Sequence, residues 1–131
     1  MSNLVLIDPN IVSLITGSFG SDGMPMPFVQ EIFLIDCNVA GTSHLDLEKI
    51  EPQLMIDDLL ITKREPSNKY DAHAIMILTK EGEKLGYIPR EKNEIISRLM
   101  DAGKIIFGRI ISKKWQNDWL RMSIKIYLRD I

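Results

Sequence analysis

The segment from Lys63 to Ile75 concentrates residues that can bind rather than merely fold: Lys63-Arg64-Glu65-Pro66-Ser67-Asn68-Lys69-Tyr70-Asp71-Ala72-His73-Ala74-Ile75. Tyr70 offers a π-face on which a nucleobase can stack, an interaction worth roughly 1–3 kcal/mol per base. Asp71, once ionised, only accepts hydrogen bonds and can take one from a sugar hydroxyl. Asn68 carries both donors and an acceptor. Lys63 and Arg64 can meet phosphates. So can Arg90, which stands at the start of an expected helix, where the positive dipole end favours an anion. Each of these residues also has a structural use. Pro66-Ser67-Asn68 is good turn chemistry, and Asn68 or Asp71 can bond the backbone amides of that turn. Asp71 can instead pair with Arg64, and Tyr70 or Tyr87 can pack at the rim of the fold. Trp115 and Trp119 flank a turn, where they can stack bases or cover one end of the molecule.

Other chemistries lack their residues. No Ser/His/Asp set, phosphate loop or paired catalytic carboxylates can be assembled from the spacing, so no enzyme is expected. His44, His73 and Cys37 do not form a ligand set with metal-site spacing, and neither a metal nor another cofactor is expected. Net charge is −2 over 131 residues, but it is unevenly spread. Residues 1–62 carry −8, residues 63–103 carry +1 and residues 104–131 carry +5. A uniformly basic coat for nucleic acid is excluded, while a local basic face near the C-terminus, including Lys125, is allowed. No run of about 18 apolar residues is present, so no membrane partner is expected. The start of the chain does not read as a secretory leader. A single cysteine fits a reducing, cytoplasmic compartment.

The elements that must position these residues read mostly as strands. Asp8-Pro9 opens a short expected helix, and residues 17–27 hold three glycines and two prolines, the composition of a linker. Residues 1–27 are therefore set apart from a domain over 28–131. Phe33, Ile35, Cys37 and Val39 alternate along one face of a first strand, with Cys37 as a small buried hydrophobe. Residues 46–51 suggest a helical turn ended by Pro52. A second strand is expected over 58–64 and a third, apolar on both faces, over 72–79. A turn at 80–83 returns the chain as a partner strand over 84–88. Pro89 then opens a helix over about 90–102, with Ile95, Ile96, Leu99 and Met100 inward, Glu94 and Arg98 paired, and Gly103 beyond its end. Two strands close the chain. Ile105, Phe107 and Ile111 are expected on one face of the first. In the second, Leu120, Met122, Ile124, Ile126 and Leu128 face inward, and Arg121, Ser123, Lys125, Tyr127 and Arg129 face outward. Gln116-Asn117-Asp118 supplies the turn between them. This order suggests a mainly β fold, a small β-barrel with one inserted helix in the manner of an oligonucleotide-binding (OB) fold. A small α+β sheet with the helix on one face is the competing topology.

The Arg64-Glu65-Pro66-x-Asn68-x-Tyr70-Asp71-x-x-Ala74-Ile75 run is followed by Gly86-Tyr87-Ile88-Pro89-Arg90 and preceded by Val39-Ala40-Gly41-Thr42. Together these resemble the HIRAN domain family over about residues 30–128, and the two motifs are specific because many fixed positions fall in order with matching gaps. The resemblance implies an OB-like HIRAN barrel in a free-standing member. It implies a nucleic-acid-binding module for single-stranded DNA or DNA 3′ ends, acting in DNA repair or processing. It places Asn68, Tyr70 and Asp71 beside the ligand groove. DNA-end-binding members carry basic and aromatic residues just after the glycine matching Gly41, where this chain has Thr42-Ser43-His44-Leu45. There Ser43 can bond a phosphate and His44 can stack. The second reading is a protein-interaction or accessory domain with a degenerate DNA groove, its acidic N-terminal half facing a basic protein partner.

Overall fold

The structure, a computed structural model, describes residues 30–130. The expected helix and linker within residues 1–27 lie outside them. Within the described residues six strands and one α-helix follow in order: β1 Gln30–Asn38, β2 Leu59–Arg64, β3 Ile75–Thr79, β4 Lys84–Tyr87, α1 Asn93–Asp101, β5 Ile105–Gln116 and β6 Trp119–Asp130. They form one curled sheet in the order β1-β6-β5-β2-β3-β4. The β2–β3, β2–β5, β3–β4 and β5–β6 pairs are antiparallel. The result is a mainly β, OB-like half-barrel with one short helix, rather than a flat α+β sheet.

What curls the sheet into a barrel is a seam between its two edges. Just past β1, Ala40 pairs with Tyr87 of β4, and each amide donates to the other's carbonyl at 2.8 Å. The approach is close enough to demand glycine next door. A Cβ on Gly86, whose φ is 153°, would stand 2.3 Å from the Ala40 carbonyl oxygen. Gly86 belongs to the GYIPR motif, so that motif encodes the barrel's closure as well as any site.

The core follows the period-2 pattern of β6. Leu120, Met122, Ile124 and Ile126 are all buried, and Leu128 packs against them. Arg121, Lys125 and Arg129 face solvent. Leu60, Ile75, Ile77, Leu85 and Ile88 meet these side chains from β2, β3 and β4 and the segment after β4, and Ile96 of α1 joins them.

Five expectations about faces and bounds change. In β5 the core side chains are Ile106 and Ile110, whereas Ile105 and Ile111 are exposed. The two flanking isoleucines made either register plausible, and a register shift between Ile110 and Ser112 breaks the alternation further along. In β1 the expected face holds at Ile35, Cys37 and Val39 and fails at Phe33. Phe33 points outward, 51% exposed, while Leu34 and Ile35 both pack against the core. In α1, Ile95 is 72% exposed, while Ile96, Leu99 and Met100 pack inward as expected, joined by buried Asn93 and Ser97. Pro52 does not end a turn but sits inside a 3-10 turn over Glu51–Gln53, where its missing N–H is not needed. The expected strand over 72–79 begins only at Ile75, because residues 65–74 form the loop that carries the site.

Candidate nucleic-acid interface

The loop between β2 and β3 is held from both ends. At its base Arg64 donates to the Ala74 carbonyl at 2.8 Å and the Ala72 carbonyl at 3.0 Å, and pairs with Asp101 at the end of α1 at 2.9 Å. Its guanidinium is thus a brace, spent inside the fold. At its tip Asn68 does what its turn chemistry suggested. Its Oδ1 accepts from the amides of Tyr70 at 2.8 Å and Asp71 at 3.1 Å, while its Nδ2 donates to Glu65 Oε1 at 2.6 Å. The same Glu65 oxygen accepts from the Tyr87 hydroxyl at 2.8 Å, and Lys84 Nζ donates to that hydroxyl at 2.9 Å. Tyr87 therefore tethers the loop to the strand of the seam. The bonds from Asn68 and Tyr87 favour the charged Glu65 carboxylate and hold its pKa below the ordinary value.

Two residues emerge from this fixed loop toward solvent. Tyr70 is 80% exposed, its ring unburied while its backbone carbonyl accepts from Arg90 at 2.9 Å. Asp71 is half-buried. Its Oδ1 accepts from the His73 amide at 2.9 Å, and its Oδ2 accepts from Asn93 Nδ2 at 2.7 Å. Partial burial works against its charge, but these two bonds and the nearby Arg90 outweigh it and lower its pKa. A carboxylate has about four acceptor positions, so Asp71 keeps capacity for an outside donor. Its partner is Asn93 rather than Arg64, the alternative that the sequence left open.

Asn68, Lys69, Tyr70, Asp71, His73, Arg90, Asn93 and Glu94 line one open hollow of about 430 Å3. A second hollow, of about 340 Å3, lies against Glu65, Ser67, Asn68, Lys69 and Tyr70. Tyr70 borders both. The charges are mixed: Arg90 and Lys69 bring two cations, and Glu94 is already paired with Arg98 at 3.0 Å. The arrangement can stack a planar ring, meet an anion and accept a hydrogen bond from a hydroxyl.

The remaining candidates lie elsewhere. Gly41, in a left-handed conformation with φ 80°, turns the chain into a 3-10 turn over Thr42–His44 that exposes Ser43 and His44. Thr42 anchors that turn by donating to the Leu120 carbonyl at 2.8 Å, close to the β5–β6 hairpin. Trp115, in that hairpin, donates its indole N–H to Glu51 at 2.8 Å, and Lys113 also pairs with Glu51. Lys63 is exposed on β2. Lys125 stands over the ring of Phe33, 5.7 Å from its centre, on the outer face of the sheet.

Sequence reasoning passed over Asn93 and Ser97. Asn93 is buried against Asp71, and Ser97 Oγ lies 3.1 Å from His73 Nδ1, so both dock α1 onto the loop. The signal was there: a polar pair at i, i+4 interrupting an otherwise apolar helix face. Among the described residues no three His, Cys, Asp or Glu side chains are grouped to hold a metal ion. No described helix is long and apolar enough to cross a membrane.

The half-barrel, its seam and its pinned loop define a domain of OB-like binding architecture. The chain belongs to the HIRAN domain family, whose sequence model matches residues 32–129. It is similar to a crystal structure of a Lactobacillus plantarum protein from a structural-genomics programme. That likeness has 25% identity and a TM-score of 0.73, and covers 79% of this chain and 100% of the other. It also shares its fold with the HIRAN domain of human HLTF, at 18% identity and a TM-score of 0.60, over 76% of this chain and 78% of that one. No curated protein sequence matches it significantly.

Proposed function

We propose that this domain binds nucleic acid without catalysing a reaction, that its ligand is single-stranded DNA, and that it takes a 3′ end into the hollow beside Tyr70 in DNA repair or processing. One observation carries the reading: an 80% exposed tyrosine ring on a loop whose backbone is hydrogen-bonded on both sides of it. An exposed ring on a mobile loop would lose entropy on binding, whereas here Asn68, Glu65 and Arg90 have already fixed the backbone that carries it. Family membership supports the nucleic-acid class. A terminal base stacks on Tyr70, a phosphate meets Arg90 or Lys69, and the terminal hydroxyl donates to Asp71. The test is fluorescence anisotropy with short labelled single strands. Tyr70→Ala is expected to weaken binding of every strand by roughly 1–3 kcal/mol. Asp71→Ala is expected to weaken a 3′-hydroxyl strand and spare a 3′-phosphorylated one, whose charge Asp71 repels. A wild-type protein that binds both ends equally, or site variants that bind like wild type, would overturn the end-capture reading.

A further inference from the structure

The outer face of the sheet carries a second feature that shares no residue with the Tyr70 hollow. It is a groove of about 530 Å3 between β2, β5 and the end of β6, walled at one end by Met100 and Lys104 beside the C-terminus of α1. That volume is within the usual range of ligand clefts, about 300–1,000 Å3. Its floor is aliphatic. Leu59, Ile61 and Ile105 are 41%, 39% and 50% exposed, a contiguous apolar surface without an evident folding role. Cross-strand pairing brings it together: Ile61 lies opposite Phe107, Leu59 opposite Arg109 and Ile105 opposite Arg129.

The rim is basic. Among the described residues Lys104, Arg109 and Arg129 line the groove against one acid, Glu31, which already pairs with Arg109 at 3.2 Å. Among the described residues neither Lys104 nor Arg129 takes part in an ion pair. Lys104, Arg109 and Arg129 belong to residues 104–131, the segment that carries +5.

We propose that this groove docks an acidic protein segment, whose apolar side chains fill the Leu59–Ile61–Ile105 floor and whose carboxylates meet Lys104 and Arg129. A single nucleic-acid strand suits it less well. Bases need accessible aromatic faces, and among the described residues the groove's one ring, Phe107, is only 8% exposed and stacks on Tyr127 at 5.4 Å. An aliphatic floor and a basic rim match a peptide that carries both apolar side chains and carboxylates.

The test uses the full chain and a capped peptide of alternating Leu and Glu, with two controls in which Glu becomes Lys or Leu becomes Ser. The Leu/Glu peptide is expected to bind, and in amide-resolved NMR to shift residues 59–62 and 105–109 while leaving 68–73 unmoved. The double variant Lys104→Glu/Arg129→Glu is expected to weaken it at least tenfold. Arg129→Lys should retain binding, and Tyr70→Ala should have no effect. A thermal melt checks that each variant is folded, and the shift map of the wild type needs no variant at all. Absence of binding, equal binding of the Lys or Ser peptide, or shifts confined to other residues would overturn the proposal. So would displacement of the peptide by a single-stranded oligonucleotide that shifts the same amides, which would make the groove a nucleic-acid surface. Self-association that Ile61→Asp abolishes would assign it instead to a second copy of this chain.

Discussion

Glu65 does more for the candidate site than its place in the motif suggested, because one of its oxygens receives both the Asn68 amide and the Tyr87 hydroxyl. Asn68 in turn orders the amides of Tyr70 and Asp71. Glu65→Gln replaces a charged acceptor with a neutral one and is expected to cost about 1 kcal/mol at neutral pH. The acid limb has a definite sign. Glu65 loses its proton more readily when folded than its ordinary value of 4.5 implies, so protons favour the unfolded chain. Its contribution is complete above that value and disappears as pH falls through the lowered folded value. Asp71 acts in the same direction below its ordinary value of 3.8. Urea melts stepped from pH 7 toward pH 3 should show stability falling in the wild type and falling less steeply in Glu65→Gln. Parallel slopes would mean that Glu65 is not bonded as described.

Among the elements, β6 is the one whose sequence declares its register, since five apolar residues alternate with polar or half-buried ones over Leu120–Leu128. Ile124→Ala, at a fully buried position, is expected to cost about 2–5 kcal/mol in a denaturant melt. A loss below about 0.5 kcal/mol would put that side chain outside the core. β5 was harder to read for a physical reason. Ile105 and Ile106 are the same residue on opposite faces, and only pairing with β6 decides which of them is buried. β1 was obscured in the same way, because Leu34 and Ile35 both reach the core and interrupt the alternation. The site divides similarly. Asn68, Tyr70, Asp71 and Arg90 were visible as candidate residue types, and the fold gathers all four at one hollow. That Arg64 would turn to Asp101, 37 residues away, depends on where α1 docks, which no local pattern encodes.

For the molecule as a whole, residues 28–131 are expected to fold by themselves, as the linker composition of residues 17–27 and the start of the family match at residue 32 suggest. A chain shortened to this span should melt within about 8 °C of the full one, and a larger drop would mean that the first 27 residues add more than about 1 kcal/mol. The buried thiol of Cys37 gives this fold an internal clock. It lies in β1, two residues before Val39 and the seam, and burial pushes its pKa up to about 11. At pH 7 only about one such thiol in ten thousand is ionised, and only the thiolate attacks an alkylating reagent. Burial keeps the thiol from iodoacetamide while β1 stays in the sheet, so labelling speeds up as β1 departs. Rates that rise smoothly at urea concentrations far below the global transition would identify the seam side as the first part of the barrel to part. Rates that track the global transition would show instead that the barrel opens all at once.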